Sequence, residues 1–167
     1  RATFEGANAL SGEAMSEKYL GRRAACAHCP VSCIHIAALR VPYEAEPHFY
    51  KTKMISYDYE PIYALGSMLD IRSPEGFLQL MDRVEELGLD AMSTGVVLAW
   101  ATECMEKGII GPEETGGIVL SWGNYKAYIE AVERIAWVKG EFYEALGKGV
   151  EYASSIYGGD EFALAFG

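Results

Sequence analysis

The chain has 167 residues, 50% of them hydrophobic and 23% charged, with 24 acidic against 14 basic side chains and a formal net charge of −10. This is the size of one domain that buries roughly 70% of its extended surface, and the apolar content excludes a chain disordered throughout. The acidic balance, with no basic cluster beyond Arg22-Arg23, repels phosphate backbones and argues against nucleic acid, while no apolar run approaches the ~20 residues of a membrane span. The expectation is a soluble, cytoplasmic protein with no membrane partner.

In chain order, Ser11 to Arg23 reads as a short helix capped by Ser11 and ended at Gly21. It leads into a window holding Cys26, Cys29 and Cys33. From Ile34 to Tyr59 the chain is rich in β-branched and aromatic residues, with Pro42 and Pro47 as breakers and alternation over Phe49–Tyr57, which predicts two strands in a hairpin. Helical patterns follow. Pro61 to Leu69 is a short apolar helix. Ser73 caps the next, with Pro74 in its first turn, a buried stripe of Phe77, Leu78, Leu80, Met81, Val84 and Leu87, and Gly88 at its end. Asp90 to Lys107 is apolar all round and therefore central to the core, and Gly108 ends it. Asn124–Lys139, ended by Gly140, and Glu141–Tyr157, ended by Gly158-Gly159, give two amphipathic helices. The fold class is mainly α, an irregular helical domain with a small β-hairpin after the cysteine motif, built as one domain over residues 1–167.

The window Cys26-Ala27-His28-Cys29-Pro30-Val31-Ser32-Cys33 has the spacing C-x2-C-x3-C. Three thiols crowded this closely are poorly placed for a disulfide framework, which spreads its partners along the chain. Thiolates separated by two and three intervening residues converge when the backbone turns tightly, and three thiolates with one remote ligand meet the need of a [4Fe-4S] cluster. A Cys3His zinc site using His28 or His35 is the competing reading, and three cysteines with a purely structural role is the plainest one. Cys104, between Glu103 and Met105 in an apolar helix, reads as an inert buried thiol.

The surrounding residues carry a resemblance. Phe4-Glu5-Gly6-Ala7, Ser11-Gly12-Glu13, Arg22-Arg23-Ala24-Ala25 and the cysteine window, then Tyr59-Glu60 leading into Ala64-Leu65-Gly66-Ser67, Leu87-Gly88-Leu89-Asp90, Ser93-Thr94-Gly95 and Glu103-Cys104-Met105-Glu106-Lys107-Gly108 together resemble the tungsten-dependent aldehyde ferredoxin oxidoreductase family. The likeness covers nearly the whole chain. It implies oxidation of a small aldehyde to a carboxylic acid at tungsten, or molybdenum, held by two pyranopterins, with a [4Fe-4S] cluster passing electrons to ferredoxin or a similar carrier.

On this resemblance Cys26, Cys29 and Cys33 are cluster ligands, and the family's D-x-x-G-L-D pterin motif falls on Glu85-Glu86-Leu87-Gly88-Leu89-Asp90, with Glu85 in place of the first Asp. A carboxylate there accepts hydrogen bonds from pterin N–H groups; alone, Leu87-Gly88-Leu89 is an ordinary helix stop. Glu60 falls where the family places a glutamate near the metal, and in an apolar pocket its carboxyl would be tuned for proton transfer; otherwise it is an acidic residue at a helix start. Tyr50, Tyr57, Tyr59 and Tyr63 around it line a channel or pack the hairpin. The resemblance assigns no role to His28, His35 or His48. It also implies that the family's N-terminal pterin domain and its C-terminal domain, with the fourth cysteine, are absent, so the chain alone is expected to be inactive. A non-catalytic zinc domain and a reductive benzoyl-CoA-type family member stay open as alternatives, as does a homo-oligomer.

Overall fold

In the computed structural model, which describes residues 6–43, 45–46 and 48–163, Ser11 caps the first helix as its sequence predicts. The Ser11 hydroxyl accepts from the Ala14 amide at 3.2 Å, and α1 runs Gly12–Tyr19. Its end differs from expectation. The chain passes directly into strand β1 (Leu20–Ala24), and Gly21 lies inside that strand, where the register against the next strand shifts between Leu20 and Arg22. A Cβ at Gly21 would sit 3.3 Å from Met54 Cε and 3.4 Å from the Ile36 carbonyl oxygen. The glycine therefore serves a bulge and not a helix stop.

The expected hairpin is present as β2 (Ile34–Pro42) and β3 (Tyr50–Tyr57), and β1 adds to its outer edge to give a three-stranded antiparallel sheet of order β1-β2-β3. Ala37, Leu39, Ile55 and Tyr57 alternate onto the core face and are buried, while Tyr50 and Met54 stand exposed on the other. Pro47, read as a breaker, lies outside the described residues, as do Phe4 and Glu5 of the opening motif.

After β3 comes a helical passage of three kinds. A single turn, α2 (Tyr59–Pro61), opens into a π turn over Ile62–Gly66 and tightens to a 3-10 turn over Ser67–Leu69, closed by Asp70 at φ 56°. The predicted short helix over 61–69 thus exists without regular α geometry. Its middle is pressed against α4 at Gly95, and π turns recur where a helix must bulge around such a contact.

Helix α3 (Pro74–Glu86) is capped by Ser73, buries Phe77, Leu78, Leu80, Met81 and Val84 against the sheet and α5, and ends in a Schellman turn. The Gly88 amide donates to the Glu85 carbonyl at 3.0 Å and the Leu89 amide to the Val84 carbonyl at 3.1 Å. Two residues on, Asp90 caps α4 (Ala91–Glu106), which is buried on every side from Thr94 to Thr102 save at Ala99. Helix α5 (Tyr125–Ala136) lies against α3 through Tyr128, Ala131, Val132 and Ile135.

The helix expected over Glu141–Tyr157 is two, α6 (Glu141–Gly147) and α7 (Val150–Tyr157). Gly149, at φ 100°, makes the corner between them. Among the described residues no helix is long and apolar enough to cross a membrane.

Candidate functional site

The sheet topology places the chemistry. Ala24 at the end of β1 pairs with Ile34 at the start of β2, and His35 pairs with Tyr57 at the end of β3. The cysteine loop leaves β1 and re-enters β2 at the same end of the sheet from which β3 delivers Asp58 and Glu60. Ser56, one residue before that end, donates a hydrogen bond from its hydroxyl to Glu85. This ties in the corner that carries Gly88, Leu89 and Asp90. Three segments far apart in sequence, the cysteine loop, Glu60 and the 85–90 corner, converge on one end of one small sheet.

Within the loop, the Cys29 amide donates to the Cys26 carbonyl at 3.0 Å, closing the turn between the first two cysteines. His28 (φ 63°) and Ser32 (φ 54°) adopt the left-handed conformation, uncommon for residues with a side chain, and so reverse the chain twice within the motif. Cys26 and Cys33 are exposed, Cys29 is half-buried, and all three are free thiols.

As donors they fit an iron–sulfur cluster: unpaired, close in sequence and accessible to solvent. Among the described residues no three His, Cys, Asp or Glu side chains are grouped tightly enough to hold a single metal ion.

Cys104 is different in kind. It is buried in α4, and burial pushes its thiol up to about 11, with Glu103 and Glu161 adding to the shift. Reactivity follows the thiolate and access to it. Under native, metal-free, reducing conditions, a maleimide is therefore expected to label Cys26, Cys29 and Cys33 and to reach Cys104 only on unfolding, read as three fast equivalents and one slow by intact mass. Labelling of Cys104 at the rate of the loop thiols would contradict the burial.

Glu60 stands exposed in the first turn of α2, so the described residues do not themselves enclose it. Tyr59 beside it is also exposed and stacks on Tyr63 with ring centroids 6.4 Å apart. Tyr50 is at the other end of β3, under Arg40 at 5.0 Å, away from Glu60. Tyr57 is 3% exposed and stacks on His35. Burial raises its phenol, which the Arg23 charge partly offsets.

The 85–90 corner faces water: Glu85, Gly88 and Asp90 are exposed and Leu89 is half-buried. Asp90 Oδ1 accepts from the Ser93 amide at 2.7 Å, and that bond holds its carboxyl below the usual range. Glu85 accepts from Ser56 through Oε1 only. The corner thus has carboxylate lone pairs to spare for the N–H groups of a polar cofactor, the capacity that a pterin contact requires.

Two residues at this end escaped the reading of the sequence. Ser56 reads only as a polar residue on a strand, and its tie to Glu85 spans 29 positions. Asp58 is half-buried, and burial raises its carboxyl, with the charge and hydrogen bond of Glu60 adding to the effect and His35 opposing it. The motif Tyr57-Asp58-Tyr59-Glu60 draws attention to the glutamate before Pro61; that the aspartate turns inward is set by the fold.

The family described as "Aldehyde ferredoxin oxidoreductase, domains 2 & 3" matches residues 1–166. A tungsten-containing aldehyde ferredoxin oxidoreductase of Thermococcus kodakarensis is 34% identical over 97% of this chain and 25% of its own length, and one of Pyrococcus furiosus is 36% identical over 92% and 24%. An aliphatic sulfonate oxidoreductase, WOR-like subunit, of Pyrococcus furiosus is 35% identical over 67% of this chain and 17% of its own length.

Among solved structures, the active-site complex BamBC of benzoyl coenzyme A reductase matches with a TM-score of 0.70 at 23% identity, over 96% of this chain and 22% of that one, a likeness of fold. The chain spans about a quarter of the length of the curated aldehyde oxidoreductases it matches. With the family matched across residues 1–166 and its motifs gathered at one end of the sheet, the chain belongs to the aldehyde ferredoxin oxidoreductase family of oxidoreductases.

Proposed function

We propose that the chain is the central helical domain of a tungsten, or molybdenum, pterin oxidoreductase of the cytoplasm. It would oxidise a small aldehyde to the carboxylic acid and deliver the electrons to ferredoxin or a similar carrier. The observation that carries this reading is the convergence of the cysteine loop, Glu60 and the 85–90 corner on one end of the sheet, within a chain matched to the family from end to end. An electron-transfer group, an acid–base side chain and a cofactor cradle must be neighbours for such chemistry, and sequence distance alone does not bring them together.

Conversion of an aldehyde and water to a carboxylic acid releases two electrons and two protons. A bound metal–pterin would supply two-electron chemistry there and an iron–sulfur cluster one-electron transfer. Cys26, Cys29 and Cys33 would hold the cluster at the sheet end. Glu85 and Asp90 would accept hydrogen bonds from the pterin, with Gly88 and Leu89 shaping the turn between them. Glu60, exposed beside them, would exchange the protons.

Anaerobically prepared protein is expected to contain iron and acid-labile sulfide, both lost in Cys26→Ser, Cys29→Ser and Cys33→Ser and retained in Cys104→Ser. Stoichiometric zinc without sulfide would overturn this reading in favour of a structural zinc domain.

A further inference from the structure

The four residues from Cys26 to Cys29 form a turn closed by the Cys29 amide on the Cys26 carbonyl at 3.0 Å, with His28 in third place at φ 63°. A positive φ there marks a type II turn, and a turn of this kind holds its end Cα atoms within about 7 Å of each other. Disulfides join Cα atoms about 4.4–6.8 Å apart. The first two cysteines are therefore brought to disulfide range by the backbone itself.

The third is placed differently. Pro30 follows Cys29 with no N–H to continue the turn, and Ser32, at φ 54°, redirects the chain just ahead of Cys33. Among the described residues no backbone hydrogen bond closes the chain between Cys29 and Cys33, and no three His, Cys, Asp or Glu side chains gather around one point. Access differs as well. Cys26 is exposed, so a small reagent in solution reaches it directly, while Cys29 beside it is half-buried and suited to react second. Cys104 is buried in α4 and closed to such a reagent.

We propose that Cys26 and Cys29 are a reversible redox pair that closes as a disulfide when the metal-free chain meets a low-molecular-weight disulfide, leaving Cys33 as the free thiol. The Cys26 thiolate attacks the reagent, forms a mixed disulfide and releases one thiolate. The Cys29 thiolate then attacks the Cys26 sulfur and expels the second. In sum the two cysteines give up two electrons and two protons, and the reagent leaves as two thiols. With one sulfur exposed, a thiol reductant reopens the bond by the same exchange in reverse. Closure withdraws two of the three loop thiolates, so the loop takes up a cluster only after reduction. That consequence rests on the function proposed above, whereas the pairing rests on the turn alone.

The test treats reduced, chelator-stripped protein with oxidised glutathione and reads intact mass and peptide maps. The expected result is the loss of two hydrogens, a bond mapped to Cys26 and Cys29, and a fall in fast maleimide labelling from three equivalents to one, with all three restored by dithiothreitol. Cys33→Ser is expected to close the same bond, and Cys29→Ser to stop at a glutathione adduct on Cys26. Glutathione adducts on all three thiols, or a bond that includes Cys33, would overturn the pairing. Protein still holding iron and sulfide is expected to resist the same treatment until the chelator strips it. A bond that forms equally fast with iron and sulfide in place would refute these thiols as cluster ligands and leave the pair intact. Iron with sulfide in a chain that, once stripped, closes no such bond would do the reverse.

Discussion

Gly95→Ala is expected to destabilise the chain by about 3 kcal/mol, lowering the thermal midpoint by roughly 6–12 °C at this chain length. Helix propensity alone predicts the opposite, since alanine is better than glycine in a helix interior by about 1 kcal/mol. Gly95 is buried in the second turn of α4, and a Cβ there would stand 2.4 Å from the carbonyl oxygen of Ala64, 2.7 Å from its carbonyl carbon and 2.8 Å from its Cβ. Two of these three atoms are backbone, and they belong to the π turn, so no side-chain rotation relieves the overlap. Either α4 moves away or the turn rewinds.

Both responses disturb the candidate site, because the same passage holds α2 and Glu60 on one side of Ala64 while α4 begins at the Asp90 cap. Gly95→Ala should therefore also speed amide exchange in the turns from Ile62 to Leu69, whereas a surface change such as Glu151→Gln should alter neither that exchange nor the stability. Chemical denaturation followed by circular dichroism, with an unchanged slope against denaturant, is the appropriate measurement. An equal or higher stability would mean that the approach of the π turn to α4 is not tight.

The same contact shows where the sequence could be read and where it could not. Helices α3 and α4 were legible to within a residue or two because every local signal agrees. Ser73 and Asp90 cap, Pro74 fits the first turn, and Gly88 and Gly108 supply the left-handed residues that end them. Helix α5 was read to Lys139 with Gly140 as its stop, but it ends at Ala136. Val138, at φ 50°, takes the position that glycine normally fills, and no propensity argument puts a β-branched residue there. The third strand went unseen because Leu20–Ala24 pairs only along the edge of β2 and carries no alternation, with Gly21, Arg22 and Arg23 all exposed.

The candidate site divides along the same line. Its cysteines stand out by their spacing, and the Gly88-Leu89-Asp90 corner only through the family resemblance, since alone it reads as a helix stop. Asp58 and Ser56 matter through a strand end and a cross-element hydrogen bond that only the assembled sheet defines.

Trp100→Ala is expected to cost about 4 kcal/mol, and Trp100→Phe about 1 kcal/mol, by different mechanisms. Trp100 is 2% exposed and is the largest fully buried side chain among the described residues of α4. It borders a cavity of about 210 Å³ shared with Met68, Val96, Trp122 and Phe162. Removing the indole enlarges an existing space that the rigid α4 cannot collapse to fill.

The phenylalanine variant keeps most of the ring but loses the indole N–H, which donates to the Gly159 carbonyl at 3.1 Å. Gly159 is packed tightly there, at φ 73° with a hypothetical Cβ only 2.5 Å from Cys104 Sγ. Its carbonyl would keep the bond from the Phe162 amide at 3.0 Å but lose the one that ties it to α4, and the turn over Asp160–Phe162 would loosen from that helix. Trp100→Phe should therefore accelerate amide exchange at Phe162 and Ala163 well before it affects α3 or α5, while Trp100→Ala lowers protection throughout the helical core. Uniform loss of protection in both variants would show that the indole acts by volume alone and that its hydrogen bond to Gly159 contributes nothing separable.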